Sequence, residues 1–291
     1  MEILSETLTR PEDVTRFVPS FILEQLAADP TPLCAAASER QFAAVLFADI
    51  SGFTALSERL AQSGADGMEK LTQILNAYFG QLVNLITAHG GDVVKFAGDA
   101  LLAFWPVAQN SLLEAVTQMA AQCGLAVQES LQKFGAAFGE RLTLRIGIGA
   151  GEVTMLSLGG VYQRWESVIV GGAVIEATLA AGKVEPGSVV LGAAAARLLR
   201  DRCNISALPD GYHRLELVSE PLQCCQLVEP SLALEAVPRL LSYLPAAIHR
   251  RLAAHQSAWL TELRRLTVVF VHLPDFSADT SLSRAQEMMR A

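Results

Sequence analysis

Two aspartates, Asp49 and Asp99, lie at the ends of short apolar runs typical of buried strands. Asp49 closes the run at 42–49, and Asp99 belongs to a predicted tight hairpin at 97–99. If the first and third strands are antiparallel neighbours, the two carboxylates meet at one edge of the sheet. Carboxylates that close repel each other unless a cation or proton intervenes, and oxygen ligands near a phosphate suit Mg²⁺ or Mn²⁺.

The loop that follows Asp49 predicts an anion-binding turn. Its successive backbone amides lead into a predicted helix, and the N-terminus of a helix attracts anions. The loop residues are Ile50, Ser51, Gly52, Phe53 and Thr54. A purely structural alternative stays open on spacing alone: Asp49 would cap the helix and Asp99 would only form the hairpin turn.

The surrounding pattern predicts the elements that position these residues. Apolar residues at helical spacing predict long helices over 67–89 and 111–134, and small residues predict a third over 174–181. Residues 141–155 predict two strands around a glycine turn at 149–151. Further short strands are expected at 168–170 and 189–191. The order fits an α+β fold, a ferredoxin-like split βαβ sandwich.

The chain divides into four predicted parts. Residues 1–41 form a helical leader, 42–228 the main domain, and 229–262 a helical connector. Residues 263–291 begin with an apolar strand that ends at Asp275 and Phe276, which has the same shape as the run ending in Asp49. We interpret this similarity as a distant internal repeat, whose second copy breaks off soon after it begins.

Composition excludes several classes of function. The chain has 291 residues, with 22 Lys and Arg against 30 Asp and Glu, and the resulting net charge of −8 argues against nucleic-acid binding. No apolar stretch is long enough to predict a membrane span, and the acidic N-terminus is unlike a signal peptide. Five cysteines without paired spacing predict neither disulfides nor a zinc site. We therefore expect a cytoplasmic protein.

Three segments resemble the catalytic domain of class III nucleotidyl cyclases. They are FADISGFTALSE, HGGDVVKFAGDALLAFW and RIGIGAGEV, and the resemblance runs from about Phe42 to Leu217. Within the family, the chain resembles the first catalytic half of soluble, bicarbonate-responsive adenylyl cyclases. The resemblance implies a phosphorus–oxygen lyase that converts ATP to 3′,5′-cyclic AMP and pyrophosphate. In that reaction the ribose 3′-hydroxyl attacks the α-phosphorus.

The resemblance also implies a role for each matching residue. Asp49 and Asp99 would hold two divalent cations, Mg²⁺ or Mn²⁺, with the backbone carbonyl of Ile50 as a further ligand. The amides of loop 51–54 would contact the triphosphate, and Arg145 would contact the phosphates from the same side. The segment 263–291 is then the truncated start of a second cyclase domain.

The chain departs from the family pattern on the other side of the site. That side normally brings a base-reading Lys with an Asp or Thr, an Asn that orients the ribose, and an Arg that stabilises the transition state. Lys95 stands at the Lys position, but Val168, Ile175 and Leu179 replace the other three. The domain therefore carries the metal-binding half only. It is expected to be inactive or very weak alone, and to need a second cyclase domain in cis, beyond residue 291, or in trans.

Lys95 then needs another role. In the resembling subfamily, the equivalent Lys belongs to a pseudo-symmetric pocket that takes bicarbonate. Thr178 replaces the partner Arg of that pocket, so bicarbonate regulation does not follow from the resemblance. An ion pair between Lys95 and a nearby acid at the strand edge is the alternative. Glu176, on the same predicted helix as Thr178, is expected to be an acid on the helix surface.

Two other functions stay open. The chain would be a non-catalytic nucleotide- or anion-binding regulatory module that dimerises with an active cyclase. Alternatively, it would be a related two-metal domain that condenses two nucleotides. Such domains normally carry a second acid in the hairpin, whereas this hairpin reads FAGDALLAF, with Asp99 as its one acid.

Overall fold

The computed structural model describes residues 12–15, 17–138, 143–183, 185–224, 226–228, 230–245, 248, 276–277 and 279–290. The chain divides into two compact units. The larger unit contains Arg40–Thr154 and Val170–Leu227, and the smaller unit contains Met1–Glu39, Met155–Ile169 and Val228–Ala291. The smaller unit thus consists of the two terminal parts of the chain and the segment Met155–Ile169.

An eight-stranded mixed sheet forms the centre of the fold. Its order is β2-β3-β1-β4-β6-β8-β7, and β5 pairs with β4 off this path. β1 pairs antiparallel with β3, and β4 pairs parallel with β6. The strands are β1 Ala37–Ser51, β2 Asp92–Ala97, β3 Ala100–Val107, β4 Thr143–Val161, β5 Arg164–Val170, β6 Ser188–Leu191, β7 Cys203–Ala207 and β8 His213–Val218.

The described helices are α1 Glu12–Thr15, α2 Ser20–Ala28, α3 Phe53–Ala61, α4 Gly64–Ala88, α5 Leu113–Phe138, α6 Gly172–Ala181, α7 Ala193–Leu198, α8 Val237–Ser242 and α9 Leu282–Arg290. Short 3₁₀ turns lie at Asn110–Leu112, Pro209–Gly211 and Leu234–Ala236. Within the described part of the chain, none of the helices has the length and apolar character needed to cross a bilayer.

The core of the larger unit lies between the sheet and the long helices α4 and α5. Alternate residues of β1 and β3 face these helices, as the period of two in a strand requires. They include Leu46 and Ile50 on β1 and Trp105 on β3, all nearly inaccessible to solvent. The prediction of an α+β fold with helices flanking a sheet is confirmed.

The predicted glycine turn at 149–151 is wrong, because β4 runs unbroken through it. The glycines serve helix packing instead. A Cβ on Gly147 would lie 1.9 Å from the carbonyl oxygen of Ala177, and one on Gly149 would lie 2.1 Å from that of Ala173. Only glycine lets α6 approach the strand backbone this closely.

The terminal parts also differ in detail from the prediction. The leader contains the described helices α1 and α2, with Pro19 immediately before α2, and β1 begins at Ala37, inside the predicted leader. In the smaller unit, buried Arg239 of the connector donates Nη1 hydrogen bonds to the carbonyls of Asp29 and Thr31, at 2.6 and 3.1 Å. The predicted repeat strand before Phe276 lies outside the described residues.

Candidate active site

The strand pairing brings Asp49 and Asp99 together. Asp49 is opposite Ala100 in the antiparallel register of β1 and β3, and Asp99 immediately precedes Ala100. Between β2 and β3, Gly98 adopts a positive φ of 68° in the two-residue turn that carries Asp99. The two carboxylates therefore lie at the same edge of the sheet. Both are half-buried.

Asp49 occupies the face of β1 opposite the α4–α5 core. Its neighbours Ala48 and Ile50 belong to that core, and side chains alternate along a strand. Arg145 on β4, the other neighbour of β1, alternates in the same way between Leu144 and Ile146, which are fully buried in the core. Asp49 and Arg145 thus lie on the same face of the sheet, on adjacent strands.

Electrostatics couple these three charged groups. Burial raises the pKa of Asp49, the charge of Asp99 raises it further, and Arg145 lowers it. The Arg145 Nε atom is buried and has no hydrogen-bond partner among the described residues. Two neighbouring acids can bind a cation, and the Arg145 Nε atom can donate to an anionic oxygen. The three groups together therefore suit a ligand that consists of metal cations and a phosphate.

The loop after Asp49 has the geometry of an anion cradle. Gly52 adopts the left-handed conformation, with φ 86°, and immediately precedes α3. The first-turn amides of a helix lack intrahelical acceptors, so those of Phe53 and Thr54 are available at this end. A Cβ on Gly52 would meet no atom within 4 Å, so the turn opens into free space. Ser51 Oγ is buried and without a hydrogen-bond partner among the described residues.

The donor set fits magnesium or manganese better than zinc. Among the described residues, no group of three or more His, Cys, Asp or Glu side chains is gathered as a metal site. Two carboxylates and a backbone carbonyl at Ile50 are all oxygen donors. Mg²⁺ is commonly held by one or two carboxylates together with substrate phosphates. Burial, followed by the charge of Asp99, raises the pKa of Asp49, and a bound cation would offset both effects.

Tyr78 is a neighbour of the acids that the sequence did not single out. It lies within the predicted helix 67–89 and is fully buried on α4. Burial, followed by the charges of Asp49 and Asp99, raises the pKa of its phenol far above the usual range. Tyr78 therefore stays neutral beneath the acidic edge. Only the fold, which packs α4 under β1 and β3, reveals this proximity.

Lys95 and Thr178 are both exposed, on β2 and α6 respectively. Lys95 is opposite Leu102 of β3, next to a register shift between Val93 and Lys95. The Thr178 hydroxyl donates to the carbonyl of Val174 one turn earlier, at 2.9 Å. A hydroxyl used within its own helix cannot replace the cationic group that the predicted pocket requires.

Helix α6 exposes apolar side chains at the positions where we expect the polar residues of the family pattern. Ile175 is 56% exposed and Leu179 is 52% exposed, and residues four apart share one helix face. Val168 on β5 is half-buried. The expectation that Glu176 is a surface acid is wrong. It is half-buried, and its Oε1 accepts the Ala194 amide at 3.3 Å, at the start of α7.

Comparisons with known proteins agree with this architecture. The family described as "Adenylate and Guanylate cyclase catalytic domain" matches residues 36–216, more than half of the chain. Adenylate cyclase type 10 of Mus musculus is 29% identical over 263 residues, which cover 79% of this chain and 16% of that protein. The human protein of the same name is 27% identical over the same shares. The chain thus spans about a sixth of these relatives.

Solved cyclase structures show the same fold. The adenylyl cyclase CyaB from P. aeruginosa has a TM-score of 0.55 and 23% identity, over 64% of this chain and 99% of that one. The guanylyl cyclase Cya2 has a TM-score of 0.54 and 25% identity, over 65% and 98%. The prediction of a class III cyclase is confirmed. The chain belongs to the family of adenylate and guanylate cyclase catalytic domains.

Proposed function

We propose that this chain is the metal-binding half of an adenylate cyclase, which converts ATP to 3′,5′-cyclic AMP and pyrophosphate when paired with a complementary cyclase domain. The observation that carries the proposal is the juxtaposition of Asp49 and Asp99 beside the open amide turn at Gly52. Acids and anion-binding amides at one sheet edge can hold a cation and a triphosphate together.

The chain's own residues position the phosphates. Asp49, Asp99 and the Ile50 carbonyl would hold two Mg²⁺ or Mn²⁺ ions. When bound, such ions lower the pKa of a coordinated hydroxyl and neutralise charge on phosphate oxygens. The amides of loop 51–54 would bind the triphosphate, and Arg145 would donate to oxygens that gain charge as the 3′-hydroxyl attacks. These donors are fixed by the strand and the helix, so little reorganisation is needed.

ATP is proposed as the substrate because of the relatives. The similar proteins from Mus musculus and Homo sapiens are adenylate cyclases, as is one from Anabaena cylindrica. The fold does not distinguish an adenylyl from a guanylyl cyclase, since similar structures include both. We place the reaction in the cytoplasm, where the acidic chain would meet ATP and Mg²⁺.

A second cyclase domain would supply the missing groups. The exposed apolar side chains of Ile175 and Leu179 cannot orient a ribose or neutralise a pentavalent phosphorus. We propose that the complement follows in the same polypeptide, beginning near residue 263, or is a separate chain. The intact mass of the product in its own cell distinguishes the two, since a mass well above 31.2 kDa indicates the first arrangement.

The decisive experiment is Asp99→Ala in the paired enzyme, assayed for cyclic AMP with ATP and Mn²⁺. We expect production to fall by more than about 100-fold, because one of the two metal carboxylates is lost. Asp201→Ala is the matched control, since Asp201 is an exposed acid in the turn after α7. Unchanged production in Asp99→Ala would refute the enzymatic proposal. A cyclic dinucleotide product would instead indicate a nucleotide-condensing enzyme.

The second candidate is a regulatory module that binds nucleotide without converting it and dimerises with an active cyclase. The observation that favours it is the apolar outer face of α6. It predicts that Asp99→Ala weakens nucleotide binding to this chain while a paired cyclase retains its activity. Measuring binding and turnover on the same sample separates the two candidates.

A further inference from the structure

Segment 219–224, which we call the strap, follows β8 and runs along helix α5 of the larger unit. Gln118 of α5 donates Nε2 to the carbonyl of Glu220 at 2.6 Å. The carboxamide of Gln122 forms two hydrogen bonds with Leu222: Nε2 donates to the carbonyl at 3.1 Å, and Oε1 accepts the amide at 2.8 Å. Two glutamines of α5 thus hold the main chain of the strap.

The strap brings a cysteine to the surface of α5. Gln122 Nε2 also donates to Cys224 Sγ at 3.6 Å, and Cys224 is half-buried. The next residue of the helix is Cys123, which is fully buried in the core between the sheet and α5. Both cysteines are reduced thiols. Consecutive residues of α5 thus contact Cys224 and carry a core thiol.

Electrostatics indicate that these two sulfur atoms are neighbours. Burial raises the pKa of Cys123 far above its usual range, and the charge of Cys224 raises it further. Such an effect falls off with distance, so the two thiols lie close to each other. Cys203 provides the contrast within the same unit, because burial alone raises the pKa of its thiol to about 11. Cys123 is therefore a buried thiol beside a more accessible one.

From these contacts we propose that Cys123 and Cys224 form a redox-modification site, at which a peroxide joins them by a disulfide that fastens the strap to α5. The proposal does not rest on the proposed function, because it concerns only the strap and the helix. It assigns the pair a reversible modification, since a thiol reductant restores the two cysteines.

The chemistry proceeds in two balanced steps. The Cys224 sulfur attacks one oxygen of hydrogen peroxide, the O–O bond breaks, and the leaving hydroxide takes up the thiol proton, which gives a sulfenic acid and water. The Cys123 sulfur then attacks Cys224 Sγ, the S–O bond breaks, and a second water leaves with the Cys123 proton. The two thiols lose two electrons in total, and the peroxide accepts them.

Accessibility determines the order of these steps. Cys224 is half-buried, so peroxide can reach its sulfur, whereas Cys123 is shielded from solvent. The thiolate is the reactive form of cysteine, and burial keeps Cys123 protonated. Direct oxidation of Cys123 is therefore slow. It reacts second, as the resolving thiol, because Cys224 lies beside it.

Treatment of the folded 291-residue chain with hydrogen peroxide tests the pairing. We expect the loss of two hydrogen atoms from the intact mass and, after proteolysis without reductant, a crosslinked pair of peptides from α5 and the strap. Cys224→Ala and Cys123→Ala should each abolish the crosslink. Cys225→Ala should retain it, which distinguishes Cys224 from its neighbour in sequence. Cys203→Ala is the matched control, because Cys203 is another buried cysteine of this unit.

Hydrogen exchange tests the consequence for the strap. The crosslink should slow exchange of the Leu222 amide by at least about tenfold, and dithiothreitol should restore the original rate. The proposal is wrong if oxidation stops at the sulfenic acid of Cys224, if the link joins Cys224 to Cys225, or if it forms only in denaturant. It is equally wrong if the link forms and Leu222 exchange does not change. Should Cys123→Ala fail to fold, Cys224→Ala still decides, because it alters only a half-buried residue of the strap.

Discussion

Two surfaces of the larger unit differ in what their side chains can do. The edge formed by β1 and β3 carries two acids, an arginine nearby on β4 and an open amide turn. The outer face of α6 carries Ile175 and Leu179, both more than half exposed. We expect the first surface to hold metal and phosphate, whereas the second exposes mainly apolar side chains. The two surfaces would then play different parts in a cyclase.

The packing of α6 explains how its outer face could change without loss of the fold. Its inner face is fixed by backbone contacts: Ala173 and Ala177 approach Gly149 and Gly147 so closely that no side chain fits between them. The outer positions take no part in that contact. We therefore expect substitutions at Ile175 and Leu179 to leave this packing intact. Asp49, in contrast, is held where burial and a like charge oppose its ionisation.

Removal of the positive charge from the acidic edge should have the largest effect. In the paired enzyme, Arg145→Ala is expected to lower cyclic AMP production by about 10²–10³, the usual effect of losing one preorganised donor to a phosphate. Arg40→Ala is the control, because Arg40 forms an exposed ion pair with Glu152. Equal activity of the two variants, measured at saturating ATP, would show that the acidic edge does not use Arg145.

Addition of polar groups to the outer face of α6 should raise cyclic AMP production by the chain alone. The double variant Ile175→Asn, Leu179→Arg restores the residue types of the family pattern. Assayed alone with ATP and Mn²⁺, it is expected to produce at least about ten times more cyclic AMP than the wild-type chain. This gain is smaller than the rate increase of about 10²–10³ that one preorganised donor supplies. The double alanine variant is the control, since it removes the same apolar groups. If both doubles match the wild type, α6 does not face the reaction.

Relief of the charge conflict at Asp49 should stabilise the metal-free protein. The pKa of Asp49 is raised in the folded state, so its ionisation near pH 7 costs folding free energy that is absent when it is protonated. Asp49→Asn should raise Tm by a few degrees at pH 7, and the gain should shrink as the pH falls toward about 4. Added Mn²⁺ should stabilise the wild type and not the variant. A pH-independent gain would mean that packing, rather than charge, is responsible.

The smallest expected effect concerns the amide turn. Gly52→Ala should lower the free energy of unfolding by about 1 kcal/mol, because φ is 86° while the space around Cβ is open. Gly80→Ala is the control: it lies in the middle of α4 with equally open space, and should instead stabilise by about 0.5–1 kcal/mol. Denaturant unfolding distinguishes the two. A stabilising Gly52→Ala would mean that the left-handed turn is not retained in solution.

The sequence identified the acids, the hairpin and the amide loop because local patterns encode them. An apolar run that ends in an acid, a glycine turn and a helix start are all short-range features. The same reasoning failed at 149–151, where glycines typical of a turn lie inside β4. Glycine is used both in turns and where backbones approach closely, and only the position of α6 shows which use applies here.

The sequence by itself therefore indicated the family and most of the main elements around the acids, and it predicted which residues hold metal or phosphate. The tertiary structure decided which groups share an environment: Tyr78 under the two acids, Glu176 at the start of α7, and Gln286 against Gly159. Glu176 and Ala194 are 18 residues apart, and Gln286 and Gly159 are 127 apart. No local periodicity relates residues at such separations, because their contact depends on how the strands pair and the helices pack.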